Sequence, residues 1–209
     1  MFDRIQILKE KGYFPDTILD IGAHHGVWTN TMKQLYNCNY YLFEANDYSG
    51  MIHYHDPLFN VVLSDKIEEV DFYQIYGTGD SFFKEKTKHY TNCISVKRTT
   101  IDLNTLISQT NILQNSKNIF IKIDCQGAEI PILKGATAIL DKTDFIILEV
   151  PLFGKFNENV PTFLEHISFM DSIGFTIYDI IDKHYLNQFN FQADILFINK
   201  NHPFNGVTY

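Results

Sequence analysis

Ile18-Leu19-Asp20-Ile21-Gly22-Ala23-His24-His25-Gly26 carries an apolar, β-rich run into an acid and then through two glycines four residues apart. An amphipathic segment at helical spacing follows over residues 27–36. The order is a strand, a tight loop and a helix. A glycine-paired loop between a parallel strand and a helix lets the backbone approach a nucleotide-like ligand, and the helix N-terminus offers unpaired N–H groups beside it. The alternative is a β-α turn whose glycines serve positive φ and close packing alone.

The next apolar run weighs for the ligand. Residues 39–45, NYYLFEA, read as a second strand with Glu44 at its C-terminal end, where ligands bind in open α/β sheets. A carboxylate there can accept both hydroxyl protons of a ribose, and its distance from the glycine loop matches the usual spacing for that role. Dinucleotide sites use G-x-G-x-x-G to seat a pyrophosphate; here the pattern is D-x-G-x-x-x-G, without the glycine at the pyrophosphate position. This form resembles the first motif of class I S-adenosylmethionine-dependent methyltransferases. There an acid and a glycine loop hold the amino-acid end of a cofactor that lacks phosphates. The resemblance implies Asp20, Gly22, His24, Gly26 and Glu44 as cofactor-binding residues.

Composition narrows the class. At 209 residues and 45% hydrophobic, the chain is most simply one domain, residues 1–209, with an N-terminal helix over 1–16 and a Rossmann-like core over 17–200. A net charge of −8 with scattered lysines lacks the attraction to phosphate backbones that nucleic-acid binding needs. Cys38, Cys93 and Cys125 have no C-x-x-C spacing and are odd in number, which fits reduced thiols in a cytoplasmic protein. The first twelve residues mix Asp3, Arg4, Lys9, Glu10 and Lys11 with apolar positions, as an amphipathic helix does and a signal peptide does not. The longest apolar stretches are too short to span a bilayer.

Further along, residues 59–63 read as a third strand ending in Ser64-Asp65, polar residues placed to meet an adenine ring or, equally, to make a solvated turn. The β-α rhythm then lapses. Alternating strands over 70–76 and 93–101 flank Gly77-Thr78-Gly79-Asp80-Ser81, a β insertion around 66–101 that reads as a lid or as a sheet extension. Asp102 is placed to cap a helix through residue 107. Residues 118–124, NIFIKID, are a buried strand turning through Cys125-Gln126-Gly127 into a helix over 128–140. A strand over 145–150, a helix over 159–174 and strands over 175–181 and 193–199 complete the order. The expected fold is α/β: a mostly parallel seven-stranded sheet with an antiparallel C-terminal strand.

The strings ILDIGAHHG (18–26), YLFEA (41–45), FIKIDCQGAEIPILKGA (120–136) and FIILEV (145–150), in that order, resemble the FkbM family of S-adenosylmethionine-dependent methyltransferases. The likeness covers residues 17 to about 150, and KID-x-x-GAE-x-x-x-LKGA is its distinctive part. It implies an O-methyltransferase acting on sugar hydroxyls of a glycan or glycoconjugate, sometimes fused to or working with glycosyltransferases. Three positions depart from the family pattern: His24 for Asn, Ala45 for Pro after Glu44, and Cys125-Gln126 for a hydrophobic-Glu pair.

Methyl transfer from a sulfonium needs an aligned oxygen nucleophile and a group to take its proton. Asp124, at a strand end facing the crevice, is the first candidate for the base, with burial expected to raise its proton affinity; a helix cap is its alternative reading. Glu129 and Glu149 follow as groups that orient the sugar or Asp124. His24 and His25 lie in the cofactor loop, where a neutral imidazole is also a suitable base. His53, His55, His89, His166 and His184 show no ligand spacing. Asp124 and Glu149 are oxygen donors of the kind that suits magnesium, yet no motif indicates a metal. Trp28, Phe82, Tyr185 and Phe189 are candidates to stack on a sugar face or simply to fill core. Two other readings compete: an NAD-dependent oxidoreductase, opposed by the absent G-x-G-x-x-G and Tyr-x-x-x-Lys, and a catalytically silent glycan- or partner-binding domain, suggested by Gln126.

Overall fold

The computed structural model of the chain describes residues 1–47 and 56–206; His53 and His55 lie outside them. Helix α1 (Phe2–Glu10) leads into β1 (Thr17–Ile21), α2 (Val27–Leu35), β2 (Asn39–Glu44) and β3 (Leu58–Asn60). The chain continues through β4 (Val62–Ser64), β5 (Glu69–Gln74), β6 (Ile94–Asp102) and α3 (Leu103–Thr110). Then come β7 (Ile119–Ile123), α4 (Glu129–Lys134), α5 (Thr137–Leu140), β8 (Thr143–Pro151), α6 (Phe163–Ser172), β9 (Phe175–Leu186) and β10 (Phe189–Asn199).

Seven strands form one sheet in the order β3-β2-β1-β7-β8-β10-β9. All neighbours are parallel except β10, which runs antiparallel to β8 and β9. The sheet is mostly parallel with one reversed strand near its C-terminal edge, as expected. Both faces are covered. Ile18, Leu42, Phe120, Phe145 and Ile147 pack against Ile5, Leu8, Met32 and Tyr36 of the first two helices and their flank. Leu19, Ile121, Ile123 and Leu148 pack on the other side against Leu103, Leu106, Ile132 and Met170. Burial on both faces is why β1 and β7, buried at every residue, read as apolar runs, each interrupted by one charge, Asp20 and Lys122. The strand order reverses between β1 and β7, so their carboxyl ends open a crevice there.

Several boundaries differ from expectation for local reasons. The third strand is two strands: β3 pairs with β2, while β4, past Val61, leaves the main sheet to pair with β6. Asn60 Nδ2 donates to the carbonyls of Glu44 and Ala45, holding the chain at that break. The helix over 128–140 is interrupted at Gly135-Ala136, where a Cβ on Gly135 would collide with the Ser64 carbonyl. The helix expected from residue 159 begins at Phe163, because Thr162 and Glu165 form a reciprocal capping box and Asn159 is left-handed. The last two strands run on to a two-residue turn, Asn187-Gln188, with both φ positive. Asp102 caps α3 by accepting from the Thr105 N–H.

Candidate functional site

At the switch point lies a cavity of about 250 Å³, near the lower end of the roughly 300–1,000 Å³ typical of small-molecule sites. Its floor is the glycine loop. Gly22, with φ +76, lies so close to the end of β7 that an added Cβ would strike the Asp124 carbonyl. Gly26 begins α2 in the left-handed conformation that glycine adopts without cost. Gly22, Ala23, His24 and His25 line the cavity; Gly26 lies just outside it.

Glu44, at the end of β2, is buried and reaches the cavity. Its Oε2 accepts from the His24 N–H at 2.7 Å and its Oε1 from the Asn46 N–H at 2.9 Å. Burial raises its proton affinity, against the pull of those two N–H groups and of Lys122. Each oxygen has capacity to accept a further hydrogen bond.

Asp20 is placed differently from expectation. It is fully buried and does not line the cavity. Its Oδ2 accepts from Thr29 Oγ1 at 2.6 Å, and its Oδ1 lies 3.4 Å from Lys122 Nζ. Lys122 also donates to the Gly22 carbonyl at 3.0 Å and lies 3.6 Å from Asp124 Oδ2. Burial alone would push the Lys122 ammonium down, but Asp20 and Asp124 outweigh it and hold the group above its ordinary value. Lys122 was absent from the candidate residues, although a lone charge in an apolar buried strand requires a counter-ion and so signals one.

Asp124 lines the cavity, but its side chain is 40% exposed, so the burial expected of it is not there. Nor does it cap the helix, whose N-cap Ala128 has no side-chain partner. Gln126, left-handed at φ +54, donates from Nε2 to Asp124 Oδ1 and to Glu149 Oε2, both at 3.1 Å. Glu149 and Glu129 do not line the main cavity; both face a second one of about 20 Å³ with Gln126, Lys155, Asn157, His166 and Gln192. Burial first, then the Asp124 and Asp194 carboxylates, push Glu149 up to about 8. Glu129 accepts through Oε1 from the N–H groups of Cys125 and Gly127 and so holds the loop itself. Burial, with His25 second, lowers the His24 imidazole below its ordinary value; the two rings lie edge to face, 4.0 Å between centroids.

The insertion closes the other side. Phe72, Gly77, Thr78, Asp80, Ser81 and Phe82 line the cavity, so this segment is both a small sheet, in the order β4-β6-β5, and a cover. Asp80 anchors it: Oδ1 accepts from the Ile75 N–H and Tyr90 hydroxyl, Oδ2 from Asn46 Nδ2. Ser64 and Asp65 do not line the cavity; Val61, Val62 and Leu63 do, because the strand break turns the apolar residues inward. Trp28 and Phe82 also line it, while Tyr185 and Phe189 are exposed on the β9-β10 ribbon.

This donor set suits an adenosyl ligand without phosphates. Lys122 is the only lysine or arginine among the described lining residues, and two acids already neutralise it. Glu44 offers acceptors for a diol, and Phe43, Val61, Val62, Leu63 and Phe72 offer apolar walls for a purine. The acidic groups around them favour a cation such as a sulfonium.

The family profile described as Methyltransferase FkbM domain matches residues 20–177. The chain belongs to the FkbM methyltransferase family. It is thereby an S-adenosylmethionine-dependent methyltransferase by family, which decides against the NAD-dependent reading. No curated protein matches the sequence. Among solved structures, the FkbM chain is similar to an S-adenosylmethionine-dependent methyltransferase from Clostridium acetobutylicum ATCC 824, at 11% identity and TM-score 0.49, over 93% of this chain and 88% of that one. It is also similar to the Burkholderia thailandensis 1,6-didemethyltoxoflavin-N1-methyltransferase, at 8% identity and TM-score 0.49, over 92% and 75% of the two chains. A structure described as a pericyclic reaction enzyme matches at 9% identity and TM-score 0.50, over 92% of the FkbM chain and 46% of its own. At such identities the likeness concerns the fold alone.

Proposed function

We propose that the chain transfers a methyl group from S-adenosylmethionine to a hydroxyl of a carbohydrate acceptor, as an O-methyltransferase. Bound in the cavity, the cofactor supplies an electrophilic sulfonium methyl. Glu44 would bind the ribose hydroxyls, and Phe43 with residues 61–63, which line the cavity, would hold the adenine. Gly22, His24 and Gly26 shape the loop beside the amino-acid end, with Asp20 acting on it through Lys122. Asp124 accepts the hydroxyl proton; Gln126 and Glu149 orient it, Glu129 fixes the loop, and His25 is the alternative base.

The observation that carries this reading is Asp124 in the lining of the main cavity, joined through Gln126 to a polar region beside it. That region holds Gln126, Glu149, Asn157 and Gln192. Through Pro151 and Lys155 it adjoins a third cavity of about 340 Å³ edged by Phe153. Amides and carboxylates beside an exposed aromatic ring suit a ligand with many hydroxyls and an apolar face.

Calorimetric titration with S-adenosylmethionine, S-adenosylhomocysteine and NAD, followed by a screen of oligosaccharides with NMR detection of O-methyl products, tests the proposal. Binding of the two adenosyl sulfur compounds and a methoxy signal on a sugar are expected. Cofactor binding with methylation of amines or carbons only would overturn the acceptor class.

A further inference from the structure

Strands β8, β10 and β9 bring Glu149, Asp194 and His184 together on one face of the sheet, beyond the cofactor cavity. Glu149 and Asp194 are directly paired across β8 and β10. Like charges opposite one another on adjacent strands destabilise a sheet unless something positive lies between them. Asp182, the partner of Asp194 on β9, is exposed, and its Oδ1 accepts from the Lys183 N–H at 2.8 Å. Glu149 and Asp194 are left facing His184.

The distances are those of a ligand set. His184 Nε2 lies 3.1 Å from Asp194 Oδ2 and 3.8 Å from Glu149 Oε1, and the three donor atoms lie within 4.8 Å of one another. Donors held about 2.1 Å from a tetrahedral zinc ion stand about 3.4 Å apart, so adjustments of a few tenths of an ångström to about 1.4 Å complete the geometry. The orientation is already supported. Gln126 and Gln192 both donate to Glu149 Oε2, which turns Oε1 toward His184 as outer-shell amides do for a metal-binding carboxylate. The Glu149 and Asp194 side chains are 14% and 10% exposed and that of His184 is 44% exposed, which gives a desolvated pair of carboxylates with an entry path from solvent.

We propose that Glu149, His184 and Asp194 bind a divalent first-row transition cation, one per chain, with zinc preferred to magnesium. One imidazole and two carboxylates form a mixed N/O set, for which zinc and its neighbours outcompete magnesium. Three protein ligands would leave at least one coordination position open. The site differs from a magnesium ion between Asp124 and Glu149, since Gln126 already occupies the space between those two carboxylates. It shares Glu149 with the proposed transfer site, but its test reads metal binding and not methylation.

The test uses the full chain without an affinity tag, stripped with chelator and titrated calorimetrically with zinc, manganese and magnesium chlorides, with metal content read by mass spectrometry. One equivalent of zinc is expected, bound at least tenfold more tightly than magnesium. His184→Ala and Asp194→Asn should each weaken zinc binding tenfold or more while S-adenosylhomocysteine still binds. Absence of stoichiometric zinc in the wild type overturns the site. So does zinc binding that persists in both variants, which would place it elsewhere, for example on His24 and His25. If either variant is unfolded by circular dichroism, His184→Gln serves in its place, with the same loss required.

Discussion

Lys122 Nζ lies 3.4 Å from Asp20 Oδ1 in the interior of the sheet, and the same ammonium holds the Gly22 carbonyl. The acid inside β1 therefore reaches the glycine loop through a lysine on the neighbouring strand. Asp20→Ala leaves that lysine buried with only the half-exposed Asp124 for company. A loss of about 3–5 kcal/mol is expected, because removing one partner strands the other charge. Urea unfolding should show a lower midpoint at unchanged slope, and S-adenosylhomocysteine should bind more weakly.

Glu44→Gln replaces two charge-assisted acceptors by one oxygen and one NH2, and the NH2 must face the N–H of either His24 or Asn46. About 1.5–3 kcal/mol of cofactor affinity should go, roughly ten- to a hundredfold in Kd. Calorimetry reads it directly.

Asp124→Asn keeps the shape of the strand end and the partner at Gln126. Cofactor affinity should stay within a few fold while kcat falls about a hundredfold or more, the usual worth of a positioned base. An unchanged rate would transfer the role to His25 or His24.

Glu149 gives stability a pH dependence. Its carboxyl is raised from 4.5 to about 8 in the folded protein, first by burial and then by Asp124 and Asp194. Between those values the folded chain holds a proton that the unfolded chain has released. Stability should therefore fall as pH rises from about 4.5 to about 8. His184, raised from 6.5 to about 9 chiefly by its hydrogen bond to Asp194, adds a decline of the same sign across its own window. Glu149→Gln retains an acceptor for Gln126 and Gln192 and should flatten the profile between about pH 4.5 and 6.5, below the window of His184, as thermal melts across pH would show.

Gly22→Ala should destabilise the protein by about 1–3 kcal/mol or more, because it combines a positive φ with a collision against backbone that cannot swing aside. Melting temperature is the measure, and an unchanged value would mean that β7 can retreat from the loop.

Much of the site was legible as ordered strings. The positions of Glu44 and Asp124 at strand ends follow from largely apolar runs terminated by acids, while the charges inside such runs, Asp20 and Lys122, pair with each other. Gly22 was legible as a residue that could be nothing else. What it approaches was not: the neighbour is the Asp124 carbonyl at the end of the adjacent strand, and contact between residues so far apart in the chain leaves no local trace. Ser64 and Asp65 illustrate the opposite failure. Their polarity suggested a ligand contact, but a strand break after Asn60 turned Val61, Val62 and Leu63 inward instead.

By itself the sequence determined the layer class, the family and the strand ends at which chemistry can occur, because each depends on periodicity and short motifs that one segment carries alone. Only the tertiary structure decided that Lys122 serves Asp20, that the turn around Asp80 covers the cavity, and that Glu149, His184 and Asp194 meet. Those contacts depend on strand order and register. A sheet sets both through burial and pairing summed over the whole chain, and no single stretch encodes them.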